Sequence, residues 1–104
     1  MKINIKSINF KIGQRLNEIT YSKVKKFMTL CNDSIMIEVK IIKERSAQKI
    51  NKACSIRLVV PGNDMLSYAC CNSFEEAIAH SVEGMERQIE KRKKKLLANR
   101  LSIA

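Results

Sequence analysis

Residues 73–97 run Ser73-Phe74-Glu75-Glu76-Ala77-Ile78-Ala79-His80-Ser81-Val82-Glu83-Gly84-Met85-Glu86-Arg87-Gln88-Ile89-Glu90-Lys91-Arg92-Lys93-Lys94-Lys95-Leu96-Leu97. The opening Ser-x-x-Glu is a capping box, in which Ser73 and Glu76 satisfy each other's free backbone N–H groups. Apolar residues recur at 74, 78, 82, 85, 89 and 96, the spacing of one helix face, with Arg92 as the gap. Charges are acidic early (Glu75, Glu76, Glu83, Glu86) and basic late. One long helix is predicted, anchored at its start and strongly positive at its end.

Working back from that helix, residues 65–71 predict a strand. If Met65, Ser67, Ala69 and Cys71 point inward, that face carries small residues and a helix can sit close. Pro61-Gly62-Asn63-Asp64 is a tight reversal, with Pro fixing φ and Gly supplying a positive φ. Residues 54–60 alternate as a strand, Ile56, Leu58 and Val60 on one side and Ser55, Arg57 and Val59 on the other. The clearest strand covers 34–43, with Ile35, Ile37, Val39 and Ile41 on one face and Met36, Glu38, Lys40 and Ile42 on the other. Residues 44–53 between these strands form a polar, Lys-rich loop.

Near the start, residues 2–8 alternate with Ile3 and Ile5 inward, and Phe10 and Ile12 then plug the core. From 14 to 31 the period is helical, with a stripe of Leu16, Ile19, Val24, Phe27, Leu30 and Cys31 and Thr20 inside it. At about 100° per residue, Lys23 falls nearly under Leu16, on the apolar face. Either its stem packs while the ammonium snorkels to water, or it presents a charge at a helix–helix seam. Lys26 lies at the border of the stripe.

The order is β-α-β-β-β-α, an α+β class. The first two strands flank a crossover helix and should be parallel. The last three, joined by a loop and a tight turn, form an antiparallel meander. A four-stranded mixed sheet with two helices on one apolar face satisfies all the stripes. At 104 residues this is one domain, over 1–97, able to bury roughly two-thirds of its unfolded surface. Residues 98–104 form a short basic and apolar tail, expected to be disordered.

Twenty Lys and Arg against ten Asp and Glu give a net charge of +10, a field that attracts polyanions. Residues 87–100 alone carry seven cations against Glu90. Cations at a helix C-terminus complement its dipole, but one or two suffice, and packed like charges such as Lys91/Lys95 repel. The excess points to a polyanion ligand. Distributed lysines suit phosphate contact better than base readout, and few aromatics are available for stacking. A shape-and-phosphate reader of structured RNA fits best; without its first strand, the order matches double-stranded-RNA-binding domains, by analogy only.

Other classes fit poorly. No apolar run approaches the ~20 residues of a membrane span, and the alternating start lacks a signal-peptide core, so a cytoplasmic protein without a membrane partner is expected. Cys31, Cys54, Cys70 and Cys71 form no C-x-x-C pair, and His80 is the single histidine. Neither a metal site nor a cofactor is indicated, and the thiols read as small, reduced apolar residues. With two Asp and no Gly-rich phosphate loop, an enzyme or a small-molecule substrate is not expected.

At Glu86-Arg87-Gln88-Ile89-x-Lys91-x-Lys93-x-Lys95 the chain resembles the ribosome hibernation promoting factor family, which includes ribosome-associated inhibitor A and was once named for sigma-54 modulation. Supporting features are the Ile3/Ile5 strand, Leu16 followed by Lys23 and Lys26, the Pro-Gly-Asn-Asp turn and Ala77-Ile78. Many members carry Asp where this chain has Ala79, and aromatics where it has Leu30 and Cys31. The resemblance implies the β-α-β-β-β-α fold and binding to 16S rRNA of the small (30S) ribosomal subunit, between head and body, where mRNA and tRNAs sit. It implies a translation inhibitor acting under stress or in stationary phase, with a second hibernation factor as a further candidate partner. On matching positions it assigns rRNA contacts to Lys23, Lys26, Arg87, Lys91, Lys93 and Lys95, with Arg92 and Lys94 as auxiliaries. Long members carry a further dimerisation domain, so this chain looks short-type. The alternatives are a protein-interaction module that modulates a transcription factor, using the sheet's wet face, and a general structured-RNA-binding domain.

Overall fold

The computed structural model describes residues 2–44 and 51–103, the last five by backbone alone. Its elements are β1 (Lys2–Ile8), α1 (Gln14–Val24), α2 (Phe27–Leu30), β2 (Met36–Lys43), β3 (Lys52–Val59), β4 (Met65–Cys71) and α3 (Phe74–Ile103). The sheet order is β1-β2-β3-β4. β1 runs parallel to β2, with Ile3 opposite Ile37 and Ile5 opposite Val39. β2, β3 and β4 are an antiparallel meander. The expected α+β order and mixed sheet are both present.

The core follows from the alternation. Ile37, Val39 and Ile41 of β2, and Cys54, Ile56 and Leu58 of β3, are fully buried. Val24 and Phe27 from the first helical stretch, and Ile78, Val82, Met85 and Ile89 from α3, cover them. Ile3, Ile5, Phe10 and Ile12 pack at the margin. Phe10 stacks on Phe74 with ring centroids 4.5 Å apart, closing one end of the core.

Several boundaries differ from the periodicity. The first helix is tightened at Lys25 and Lys26, where both residues keep right-handed helical torsions. Met28 and Thr29 bond back three residues, to the Lys25 and Lys26 carbonyls at 3.1 Å, a 3₁₀-like turn that separates α1 from α2. Ile35 precedes β2 and is 60% exposed; its N–H reaches the Val59 carbonyl at 2.8 Å, but the side chain has left the core face. β3 begins at Lys52, two residues early. The remainder of the expected Lys-rich loop, residues 45–50, lies outside the described residues. α3 continues to Ile103, so residues 98–103 of the tail expected to be disordered are helical.

Two local predictions are borne out, the second in half. Gly62 takes φ +98° in the turn after Pro61, the left-handed region that favours glycine. At the start of α3 the Glu76 N–H donates to Ser73 Oγ at 3.2 Å, which is the Ser73 half of the capping box.

β4 does present its small face to the helix. Ser67 is buried and its Oγ donates to the Ser81 carbonyl at 2.7 Å. A Cβ added to Gly84 would stand 2.5 Å from that same Oγ. Small residues on both elements therefore set how closely α3 lies on the sheet edge, and this fixes where its basic side chains point.

Candidate nucleic-acid interface

α3 carries most of the charge, and its burial divides it in two. Through Ile89 the apolar stripe is covered; beyond it Leu96 and Leu97 are 48% and 57% exposed. Leu96 keeps the spacing of the stripe, but the body of the domain ends before it. Thirty residues at about 1.5 Å each make a rod of about 45 Å, longer than the sheet it crosses.

Two ion pairs tie α3 to the segment after α1, one at the N-cap of α2 and one just beyond α2. Lys26 Nζ pairs with Glu86. Farther along, Arg92 Nη1 and Nη2 donate to Asp33 Oδ1 and Oδ2 at 3.0 and 2.6 Å, with Nη1 also 3.4 Å from Cys31 Sγ. The arginine side chain is 22% exposed. Its hydrogen bonds hold the Asp33 carboxyl below its usual range and raise the Arg92 guanidinium further. Burial, and then Asp33, push the Cys31 thiol up.

Of the eight cations expected to contact a polyanion, Lys26 and Arg92 are thus already matched to acids. Lys23, Arg87, Lys91, Lys93, Lys94 and Lys95 are exposed and have no ion-pair partner among the described residues. Lys23 sits beside the buried side of α1 rather than beneath it. The buried positions there are Thr20 and Val24, and Thr20 tolerates burial because its Oγ1 donates to the Leu16 carbonyl at 2.8 Å.

The free cations do not form one patch. Arg87, Lys91 and Lys95 recur every four residues, so they form a row with about 6 Å of rise between neighbours. The row borders two adjoining clefts between α3 and the β4 edge, of about 430 and 340 Å³, which share Gln88 and Lys91. Lys93 lies on the other flank, in a cleft with Leu30, Cys31 and Asp33. Spacing places Lys94 on the outer side, opposite the stripe. The anticipated single surface between two helices is therefore divided by α3 itself.

Residues that the sequence did not flag complete the site. Gln88 donates its amide to the Leu66 carbonyl, tying α3 to the strand edge. Asp64 faces the same cleft, but its carboxylate accepts from Arg57 Nε at 2.8 Å, so it does not oppose the lysine row. The i, i+4, i+8 spacing of Arg87, Lys91 and Lys95 was visible in the chain; their cleft was not, because its far wall comes from the turn and β4.

Among the described residues no helix is long and apolar enough to cross a membrane. No group of three or more His, Cys, Asp or Glu side chains among them could hold a metal ion.

The family model described as sigma 54 modulation protein / S30EA ribosomal protein matches residues 3–97. A ribosomal subunit interface protein from Coxiella burnetii superposes with a TM-score of 0.78 at 18% identity, over 90% of this chain and 99% of that one. The N-terminal domain of Thermus thermophilus Protein Y superposes with a TM-score of 0.71 at 17% identity, over 88% and 98%. At these identities the two structures speak to the fold alone. No curated protein sequence matches the chain.

Proposed function

Because the chain belongs to the sigma 54 modulation protein / S30EA ribosomal protein family, we propose that it is a ribosome hibernation factor acting on the small subunit. It would bind 16S rRNA between head and body, occupy the space of mRNA and tRNA, and hold translation off under stress. No catalysis is required of it. The single observation that carries this reading is the set of unmatched cations on one helix: Arg87, Lys91, Lys93, Lys94 and Lys95 fall within nine residues, all exposed and without ion-pair partners among the described residues. Lys23 on α1 adds a further free ammonium, while Lys26 and Arg92 are held in reserve by Glu86 and Asp33.

Electrostatics should dominate the affinity, since each phosphate neutralised releases counterions and makes binding fall steeply with salt. Co-sedimentation with purified small subunits at low salt tests the proposal, with mRNA and tRNA as competitors. Pelleting that both competitors reverse is expected. Failure to pellet, or indifference to the competitors, would refute it. Capture of a protein partner that survives nuclease and high salt would favour a protein-interaction module instead, and equal affinity for any duplex RNA would favour a general RNA-binding domain.

A further inference from the structure

We infer that the open edge of β1 is a docking site for an extended, acidic segment of a partner protein, which adds to the sheet as a further strand. This does not rest on the RNA-binding reading, because it concerns the edge of the sheet farthest from β4.

The two edges of the sheet are finished differently. At β4, α3 lies close against the strand, and the Gln88 amide donates to the Leu66 carbonyl. At the other edge, β1 has β2 on one side only. The Lys2 N–H donates to the Ile35 carbonyl at 3.4 Å, and the parallel register with β2 then runs unbroken from Lys2 to Ile8. Successive residues of a strand turn their backbone groups to opposite edges. Lys2, Asn4, Lys6 and Ile8 therefore bond to β2, while Ile3, Ile5 and Ser7 each turn an N–H and a C=O outward. No further backbone hydrogen bond among the described residues reaches these outward groups.

The side chains define what would pair there. Ile3 and Ile5 pack at the margin of the core but stay half-buried, so apolar residues on a neighbouring strand would complete their burial. Lys2 and Lys6 stand on the other face, exposed and without an ion-pair partner among the described residues. Lys40, beside Lys6 in the register, is already engaged by Glu38 at 3.6 Å. Opposite charges across strands stabilise, and like charges directly opposite destabilise. The fitting segment thus alternates, with acids facing Lys2 and Lys6 and apolar residues facing Ile3 and Ile5. The same lysines disfavour a second copy of this chain. Antiparallel pairing centred on Asn4 would set Lys2 directly opposite Lys6 of the other copy, and centring on Ile5 would bring the two Lys6 side chains onto a close diagonal. Edge lysines guard against self-pairing; here they leave the backbone open to a partner of opposite charge.

The test uses the full chain and the blocked heptapeptide Thr-Val-Glu-Val-Thr-Val-Glu. Its glutamates fall opposite Lys6 and Lys2 in the antiparallel register, the more stable one per residue. Amide-resolved NMR follows the titration. The Ile3, Ile5 and Ser7 amides should shift and exchange more slowly with solvent, and those of Asn4 and Lys6, already bonded to β2, should slow by less. Lys6→Glu should raise the Kd about threefold to tenfold, the scale of one close charge interaction near a surface. Ser7→Pro removes an outward N–H without touching the bonds to β2, a place where an edge strand tolerates proline. It should weaken the peptide at least about tenfold; if this variant does not fold, the Lys6→Glu comparison decides. No binding at millimolar peptide, shifts confined to residues 87–97, or equal binding of the same peptide with lysine for both glutamates would overturn the inference. Protection of Ile3, Ile5 and Ser7 that grows with protein concentration alone would overturn it in favour of a second copy. If the peptide binds as described but small subunits do not pellet the protein, the functional reading fails and this inference stands.

Discussion

The guanidinium of Arg92 forks onto the Asp33 carboxylate, Nη1 to Oδ1 at 3.0 Å and Nη2 to Oδ2 at 2.6 Å, across 59 residues of chain. This pair ties the basic helix to the segment that follows α2. It also means that the arginine interrupting the apolar stripe has a structural partner before any ligand arrives.

Removing that partner should act on stability and binding in opposite directions. Asp33→Asn is expected to cost about 1 kcal/mol or less, the upper range for a partly exposed pair with two-point geometry. For a domain of this size that lowers Tm by a few degrees. Because the variant frees Arg92 and deletes an acid, affinity for small subunits should rise. A thermal melt and a sedimentation assay on the same preparation check both signs.

The same pair makes a pH prediction. Arg92 holds the folded Asp33 carboxyl below its ordinary value of 3.8. Its contribution is therefore fully present above that ordinary value and is lost as pH falls through the lower folded value. The Tm gap between the parent and Asp33→Asn should be constant from neutral pH down to about pH 5 and close in stronger acid. A gap that widened on acidification would contradict the assignment.

Gly84→Ala should destabilise, although alanine in a helix interior normally gains about 0.5–1 kcal/mol over glycine. The new methyl would stand 2.5 Å from Ser67 Oγ, and turning that hydroxyl aside loses its bond to the Ser81 carbonyl. A cost of about 1–3 kcal/mol is expected, as for other overpacked contacts. Ser67→Ala in the same chain removes the clashing oxygen, so a double-mutant cycle by denaturant melts should show the two changes coupled. Strict additivity would contradict the close approach.

Glu86→Gln releases Lys26 from its ion pair. If Lys26 reaches phosphate, affinity for small subunits should increase and the salt slope should steepen by up to about one unit. An unchanged slope would remove Lys26 from the binding surface. Lys91→Ala, whose ammonium has no such partner among the described residues, should shift the slope the other way.

The cysteines should differ in reactivity. Burial pushes the Cys54 thiol up to about 11, and the side chain is fully enclosed. Alkylation of the native protein at neutral pH should leave Cys54 unmodified, and denaturation should expose it. Peptide mapping after iodoacetamide treatment reads this directly.

Much of this fold was legible because its strands alternate cleanly. Ile37, Val39 and Ile41 could face only one way, and the tight turn at Gly62 forced β3 and β4 into a hairpin. The small face of β4 was readable as a conditional, and Gly84 above Ser67 is what satisfied it. What local pattern could not show was long-range pairing: nothing near Arg92 or Lys26 in sequence announces Asp33 or Glu86. Leu96 kept the helical period but lay past the end of the sheet, and Ile35 kept the strand period but lay before its start. Periodicity reports which face a residue takes, while burial also needs something opposite it. For the same reason the lysine row was visible and its division from Lys93 was not.

The central proposal is occupancy of the small subunit's decoding region by the basic helix, and chemical footprinting of 16S rRNA tests it most directly. Purified small subunits would be probed at low salt with the protein and with the Lys91→Glu, Lys95→Glu double variant. Protection of rRNA lining the channel between head and body, lost in the double variant while its thermal melt stays intact, is the predicted result. Protection elsewhere on the subunit, or a footprint that the double variant reproduces in full, would contradict the account.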